Sequence, residues 1–247
     1  MSQRMTWLFA ALLAAVCLVA SPAGAAGVAD VTHLSGTAVF SRPGATVPVQ
    51  LEKGGTLAQG DTVSVGEDSR LELRLPDESR VRFDENTRFV LDRAFFNADE
   101  KQRDLNISML LGKTWARVSG ALGFEGRFQH ASPSATVGVR GTTYRMNVEE
   151  DDSVVVKVYW GEVLVKGQQK ASAKGKPAAP YVLSPPTPVS GPRPVSMEEW
   201  VKIVAAMQQI KVSPDGVPTE PESFSREEDA TLEWVQWNRE RDAALTY

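Results

Sequence analysis

Cysteine is almost absent from this chain of 247 residues, since Cys17 is its only example. Cys17 lies inside an apolar run near the N-terminus, residues 7–20, which we expect to be removed from the mature protein. The remaining chain would have no thiol, which excludes disulfide bonds, cysteine-ligated zinc and a thiol nucleophile. Export without disulfides is compatible with a bacterial envelope compartment and argues against a small disulfide-stapled module.

Histidine is also scarce, because the chain has only His33 and His130, and neither has a metal-binding spacing. The sequence contains no G-x-S-x-G elbow and no G-x-x-x-x-G-K-[ST] phosphate loop. The acidic run at 149–152 falls at an expected turn and lacks the alternate-position ligands of a calcium loop. We therefore predict no enzyme activity, no cofactor and no metal site. Carboxylates that meet only in space leave a hydrolase as a distant alternative.

A basic surplus is missing as well. The chain has 27 Lys and Arg residues against 31 Asp and Glu residues, which gives a net charge of −4 at pH 7. Nucleic-acid binders and polybasic membrane-surface proteins usually show the opposite balance, so the composition argues against both classes. With 42% hydrophobic residues, the chain can form one good core, or one core with a small appendage.

The N-terminus has the parts of a secretory signal peptide. Arg4 supplies a positive charge, residues 7–20 form an uncharged apolar core, and small residues follow. The apolar run is shorter than the roughly 20 residues that a spanning helix needs, and Pro22 and Gly24 come directly after it. We expect residues 1–26 to be cleaved, which leaves no stable membrane span and places the protein in the periplasm or outside the cell.

The chain from about residue 31 to residue 166 alternates short apolar runs with turn signals, which is typical of β-strands. A weak repeat of hydroxyl, arginine, apolar, any residue and apolar begins at Ser69, Ser79 and Thr87. Alternation along the first unit predicts two residues pointing inward, Leu71 and Leu73, and three pointing outward, Arg70, Glu72 and Arg74. We interpret the arginines as part of a solvated face with nearby carboxylates, rather than as an anion-binding row.

The clearest hairpin is predicted in SVVVKVYWGEVLVK. Val154, Val156, Val158 and Trp160 share one face of the first strand, and Gly161 occupies the bend. This alternation predicts that Trp160 is largely buried in the core.

Proline dominates the next part of the chain, with seven prolines between positions 177 and 194. Such a composition predicts an extended crossing, and we place a Pro-rich linker at residues 184–195. A helical tail is expected over residues 196–247. Its two helices are indicated by capping-box pairs, Ser196 with Glu199 and Ser225 with Glu228.

The second of these helices carries an apolar stripe made of Leu232, Trp234, Val235 and Trp237. A short isolated helix is marginal in water, so this stripe must pack against something. Docking against the chain's own β-domain is the favoured interpretation. A partner-binding helix is the alternative, because tryptophan-rich stripes also make good interface anchors.

Four segments, in chain order, resemble the FecR-like periplasmic domain. They are LRLPDESRVRFDENTRF, SMLLGKTWARV, FQHASPSATVGVRGTTYRMNV and VVVKVYWGEVLVK. The resemblance covers about residues 57–183 and includes the VRGT signature of that family. It implies a mainly β, stacked or solenoid-like FecR-type domain, which we place at residues 27–183, followed by the short C-terminal helical tail. It also implies a sensing, binding or scaffolding module without enzyme activity.

Two departures from the family pattern affect what the resemblance implies. Classical FecR regulators have a cytoplasmic anti-sigma region before a membrane span, whereas only residues 1–4 precede the apolar run here. The similarity is therefore to exported, stand-alone FecR-like proteins, and sigma-factor binding is not implied. Glu78 also replaces the usual glycine of an Asp-Gly-Ser turn, so we expect this turn not to need a positive φ.

Two glycines beside an arginine are unusual in a strand-forming run, as in Gly138, Arg140, Gly141 and Thr142. The favoured interpretation is architectural, because glycine permits a bulge, a bend or a close backbone approach. In that case Arg140 makes a structural hydrogen bond or ion pair, and Gly141 occupies a position poorly suited to a side chain. A ligand site is the alternative.

The function that the sequence favours is non-enzymatic. We predict an exported envelope protein that binds an unknown envelope protein or glycan as a structural or signalling accessory. The main alternative is a membrane-tethered FecR-type signal-transduction regulator that keeps its N-terminal segment as an anchor.

Overall fold

The structure, a computed structural model, describes residues 28–168 and 201–245. The predicted signal peptide at 1–26, the last part of the predicted β-domain at 169–183 and the Pro-rich linker at 184–195 lie outside these residues, as does the first capping box. Within the described ranges, no helix has the length and apolar character needed to cross a membrane.

Seventeen strands and two short helices make up the described chain. The first strands are β1 (Ala29–Ser35), β2 (Ala38–Ser41), β3 (Val49–Gln50), β4 (Thr56–Leu57), β5 (Thr62–Val65), β6 (Arg70–Arg74), β7 (Arg80–Phe83), β8 (Arg88–Asn97) and β9 (Gln102–Arg117). The next are β10 (Glu125–Ala131), β11 (Ala135–Val139), β12 (Thr143–Val148), β13 (Val154–Trp160) and β14 (Glu162–Gly167). The last are β15 (Val201–Ala205), β16 (Gln208–Val212), β17 (Glu222–Ser223), α1 (Arg226–Asp229) and α2 (Glu233–Ala243).

The strands form two sheets that share the long strand β9. Sheet A has the order β4-β1-β6-β7-β9-β12-β13-β16-β17, and all its pairs are antiparallel. Sheet B has the order β3-β2-β5-β8-β9-β10-β11-β14-β15, and only β9 and β10 run parallel. Gly112 lies where β9 passes from one sheet to the other, with φ +99°. A side chain there would meet the Thr87 backbone at 2.6 Å, so the crossover requires glycine.

Apolar residues on the inner faces of both sheets form one core. Leu71 and Leu73 point into it, as the alternation predicts. His130 and Tyr144 lie fully buried in the same region, with 2.8 Å between Nδ1 and the hydroxyl oxygen. Burial lowers the pKa of His130 to about 3, because the charged imidazolium loses its hydration. The predicted mainly β class with a short C-terminal helical region is confirmed.

The first predicted tail helix is wrong, because residues 201–212 form the strands β15 and β16. The turn between these strands has Met207 in a left-handed conformation at φ +64°. Val204, Ile210 and Val212 are buried in the core. Val204 belongs to β15, which extends sheet B, and the other two belong to β16, which extends sheet A. Hydrogen bonding to the open edges of β14 and β13 thus determines the conformation of this segment, in spite of its helical spacing. Its β-branched residues also suit a strand.

The predicted burial of Trp160 is also wrong, since its side chain is 66% exposed. Val154, Val156 and Val158 are buried as expected. The pairing of β12 with β13 then shifts by one residue, so that Thr143 faces Trp160. This bulge interrupts the alternation and turns Trp160 away from the core.

The turn between β6 and β7 adopts the positive φ that we did not expect, at Glu78 with φ +62°. The turn is tight, because Leu75 N donates to Ser79 O at 3.0 Å. Asp77 secures it by accepting from Ser79 N at 3.0 Å and by a buried ion pair with Arg103. The left-handed conformation is therefore imposed by the turn and its buried anchor, and not by the residue at position 78.

Candidate functional site

The outer side of sheet A, here called the covered face, carries charged and aromatic side chains on its central strands. They alternate with the apolar residues that point into the core. The members are Arg70, Glu72, Arg82, Trp115, Arg145, Lys157 and Tyr159. Residues 225–245, here called the C-terminal segment, pack against this face through α1 and α2.

Aromatic residues form the apolar part of this contact. Trp115 stacks on Tyr159 with ring centroids 4.4 Å apart. Trp234 and Val235 of α2 are buried against Trp115, and Trp237 stacks on Trp234 at 5.4 Å. The predicted stripe thus docks on the chain's own β-domain, whereas its fourth member, Leu232, is exposed.

A charged network joins β6 and β7 to the end of α2. Glu72 accepts from Arg82 Nε at 2.6 Å and from Arg241 at 3.1 Å. Arg82 in turn donates to Asp242 at 2.7 Å, and Trp115 Nε1 donates to the same carboxylate at 2.9 Å. Burial alone would raise the pKa of Glu72, but hydrogen bonds from arginine lower it to about 2.

A second network joins β12 and β13 to α1 through the buried carboxylate of Asp229. Arg145 donates to it at 2.5 Å and Lys157 at 2.8 Å, and the Tyr159 hydroxyl donates to its other oxygen. Burial raises the pKa of Tyr159, and so does the hydrogen bond with Asp229. A paired buried carboxylate of this kind fixes α1 at one place on the sheet.

Local sequence accounts for the start of the C-terminal segment. Ser225 caps α1, because its hydroxyl accepts from Glu228 N at 3.2 Å, as the capping box predicts. The prediction of one helix from this box through the apolar stripe is wrong, because the chain leaves the helix around Ala230 and resumes as α2 at Glu233. The short α1 is therefore held by its cap and by Asp229, not by its length.

Sequence reasoning missed the charged residues of this contact, because we interpreted the arginine repeat as a solvated face. That interpretation is wrong for Arg82, which is fully buried, and for Glu72, which is nearly so. The available signal was the combination of outward arginines on neighbouring strands with carboxylates in the tail at Asp229 and Asp242. Nothing in the sequence specifies which arginine meets which carboxylate.

The VRGT motif and the predicted bend form one corner of the fold. Gly141 has φ +54°, although a side chain there would meet no atom of the described residues within 4 Å. Gly161 has φ +80°, and a side chain there would lie 2.8 Å from Gly141 O. Thr142 Oγ1 lies 2.9 Å from Glu162 O, and Thr142 O accepts from Val118 N. Backbone conformation and close approach therefore explain Gly141, Thr142 and Gly161.

The other half of the motif points outward on sheet B. The Arg140 side chain is exposed, and the structural bond predicted for it is not found among residues 28–168 and 201–245. Gly138 and Arg140 line a groove of about 400 Å³, together with residues of β10, β14 and β15. The glycines of the motif thus have separate roles.

A second depression, of about 370 Å³, lies beside the exposed Trp160. Its other lining residues include Ser119, Thr143 and Asp242. Within the ranges that the structure describes, no cluster of His, Cys, Asp or Glu could hold a metal ion.

The family is shown by comparison with known proteins. The family model described as FecR protein matches residues 61–185, half of the chain, and the protein belongs to this family. Two crystal structures, at 1.65 Å and 2.50 Å resolution, of a "putative anti-sigma factor" from Parabacteroides distasonis are similar, each with 19% identity and a TM-score of 0.47. The match covers 71% of this chain and 64% of theirs. No curated protein matches the sequence.

Proposed function

We propose that this FecR-family protein is an exported, non-enzymatic regulatory accessory of the cell envelope. It works by binding another envelope protein through the covered face of sheet A. The C-terminal segment occupies that face in the resting protein and is displaced when the partner binds.

The observation that carries this proposal is the composition of the contact. Five ion pairs join the segment to the sheet, two of them through Asp229 and one each through Glu233, Arg241 and Asp242. Tryptophan and arginine, the residues enriched at binding hot spots, dominate the covered face and the segment alike. A surface that already holds a charged, tryptophan-bearing helix can hold a similar helix from a partner.

The geometry also favours displacement over permanent packing. Interfaces that exchange partners are more polar than obligate ones. The α2 sequence EWVQWNRERDA is mostly polar, and Asn238 is buried in the contact. Arg82 Nη2 and Trp234 Nε1 are buried donors without an acceptor in the described part of the chain. Such a contact can open at lower cost than the core itself.

The test is to fix the segment in place. Arg70 and Glu233 form an accessible ion pair at 3.0 Å between the face and α2. Arg70→Cys with Glu233→Cys, joined by a bis-maleimide after Cys17→Ser, holds the segment on the sheet. The same linker between Lys202→Cys and Glu220→Cys, an exposed pair elsewhere, is the matched control. We expect the first linked protein to lose capture of its envelope partner and the control to keep it. Equal capture by both would refute the proposal.

Glycan binding is the second candidate, and Trp160 favours it. A flat, exposed indole beside a depression lined by hydroxyl groups offers an apolar ring and hydrogen-bonding groups together. Sedimentation with purified cell-wall glycan tests this function. Binding lost in Trp160→Ala would support it, and binding unchanged by that substitution would remove it.

The membrane-tethered alternative differs at the N-terminus. If residues 1–26 are a signal peptide, protein isolated from cells begins near Gly27. A mature N-terminus at Met1 or Ser2, with the protein in the membrane fraction, would establish the tethered form.

A further inference from the structure

The groove on sheet B follows a row of side chains that crosses four strands. Gln129 of β10 faces Gly138 of β11, and Gly138 faces Leu164 of β14. Leu164 in turn faces Ile203 of β15. Leu164 and Ile203 are 51% and 60% exposed, so they form an apolar wall open to solvent. The glycine leaves a gap beside that wall.

Gly138 is not required by the fold. Its φ lies outside the left-handed region, and among the described residues a side chain there would touch only Leu164, at 3.9 Å, an ordinary contact. Gly141 and Gly161, by contrast, have positive φ. A glycine inside a strand lowers stability relative to residues with side chains. The effect of Gly138 on the molecule is to keep the groove open.

Cations surround this gap. Arg127 and Arg140 line the groove on one side of the row, and Lys166 follows Leu164 by two residues on the same face of β14. Arg127 forms a long ion pair with Asp104, with 3.8 Å between Nε and Oδ1. Among the described residues that line the groove, Glu162 is the single carboxylate. The groove is therefore apolar at its centre and mainly positive at its edges.

We propose that this groove binds an extended, acidic segment of a partner protein in which an apolar side chain lies between carboxylates. The apolar side chain enters the gap above Gly138 and packs on Leu164 and Ile203. The flanking carboxylates pair with the guanidinium of Arg140 on one side and with Lys166 on the other. This site lies on sheet B, so it does not rest on the function proposed for sheet A.

The chemistry of the groove favours a peptide over an anionic glycan. Sugar rings pack on exposed aromatic faces, and the aromatic residue of this lining, Phe128, is buried. The exposed Leu164 and Ile203 instead match an aliphatic side chain. Two guanidinium groups then select acidic neighbours on the bound segment.

The test uses the full-length protein and a labelled Glu-Leu-Glu-Leu-Glu peptide, with fluorescence anisotropy at low ionic strength. We expect saturable binding of this peptide and none of Lys-Leu-Lys-Leu-Lys. Gly138→Leu fills the gap and Arg140→Glu reverses the charge, and each weakens binding by about tenfold or more. Arg88→Glu, an exposed arginine of β8 outside the groove, changes binding by less than about twofold.

Three outcomes would overturn the inference. They are absence of binding by the acidic peptide, binding that Gly138→Leu and Arg140→Glu leave unchanged, and Arg140-dependent binding of polygalacturonate in place of the peptide. Each variant is first checked for a thermal midpoint no lower than that of the parent protein. Because the Arg70–Glu233 linkage on sheet A lies outside this groove, failure here and failure of the proposed function can be told apart.

Discussion

Arg82 of β7 is fully buried and donates to Asp242 of α2 at 2.7 Å. The two residues are 160 positions apart in the chain, so this bond ties the C-terminal segment to the second quarter of the sequence. Arg82 also donates to Glu72, which places one buried cation between two carboxylates. An arginine in this position depends on both partners, because an unpaired buried charge is strongly unfavourable.

Asp242→Ala is expected to lower the free energy of unfolding by about 3 kcal/mol, because it leaves Arg82 with Glu72 as its only carboxylate partner. It also removes the acceptor of Trp115 Nε1. The matched control is Glu233→Ala, whose carboxylate is exposed in its pair with Arg70 and should cost less than about 1 kcal/mol. Urea denaturation measures both values, and equal costs would contradict the buried network.

Trp160→Ala is expected to change the free energy of unfolding by less than about 0.5 kcal/mol, because its side chain is mostly in solvent. Trp115→Ala should cost about 3–5 kcal/mol, since that indole is buried between the sheet and α2. Thermal unfolding of the two variants provides the measurement. A large loss in Trp160→Ala would place its ring in the core after all.

Valine substitutions should separate the glycines of the VRGT corner. Gly141→Val and Gly161→Val each force a β-branched residue to a positive φ, which costs about 1–3 kcal/mol. Gly161→Val should be the worse of the two, because its side chain would also meet Gly141 O. Gly138→Val should be neutral or slightly stabilising. Chemical denaturation of the three variants distinguishes them, and a destabilised Gly138→Val would show that position 138 is architectural.

The pH dependence of stability should contain a step from His130. Its folded pKa is lowered to about 3 from an unfolded value of 6.5, so the unfolded chain takes up the proton first. The contribution of His130 to the free energy of unfolding is fully present above pH 6.5. It is lost as the pH falls towards 3, by up to about 1.4 kcal/mol per pH unit. Glu72, with its pKa lowered to about 2, adds a loss only below pH 4.5.

His130→Gln keeps a hydrogen-bonding group near the Tyr144 hydroxyl but does not titrate. Between pH 6.5 and pH 5, this variant should show a flatter dependence of unfolding free energy than the parent protein. His33→Gln is the control, because burial, aided by Arg241, lowers the pKa of that partly buried histidine less strongly. An unchanged slope in His130→Gln would mean that the buried imidazole is not linked to folding.

The sequence predicted the parts of this fold that depend on local pattern. Alternation placed Leu71 and Leu73 in the core, and the capping box placed the start of α1 at Ser225. The apolar stripe of the tail indicated that Trp234 and Val235 must be covered. In each case, the physical signal lies within a few residues of the structure it predicts.

The remainder depends on contacts that no local pattern contains. Residues 201–212 fit both helical and strand spacing, and the unpaired edges of β13 and β14 decide between them. Burial of Arg82 becomes favourable only when Asp242 arrives from the far end of the chain. Trp160 leaves the core because of one bulge against Thr143, which alternation cannot reveal.

Hydrogen exchange of the α2 amides tests most directly whether the C-terminal segment is a displaceable cover. If it is, these amides exchange through a partial opening at a free energy well below that of global unfolding, while the β9 and β13 amides stay protected. Asp229→Asn with Asp242→Asn should speed exchange in α2 and leave β9 and β13 unchanged. The account is contradicted if α2 exchanges only when the whole sheet unfolds, because the segment would then be a permanent part of the core.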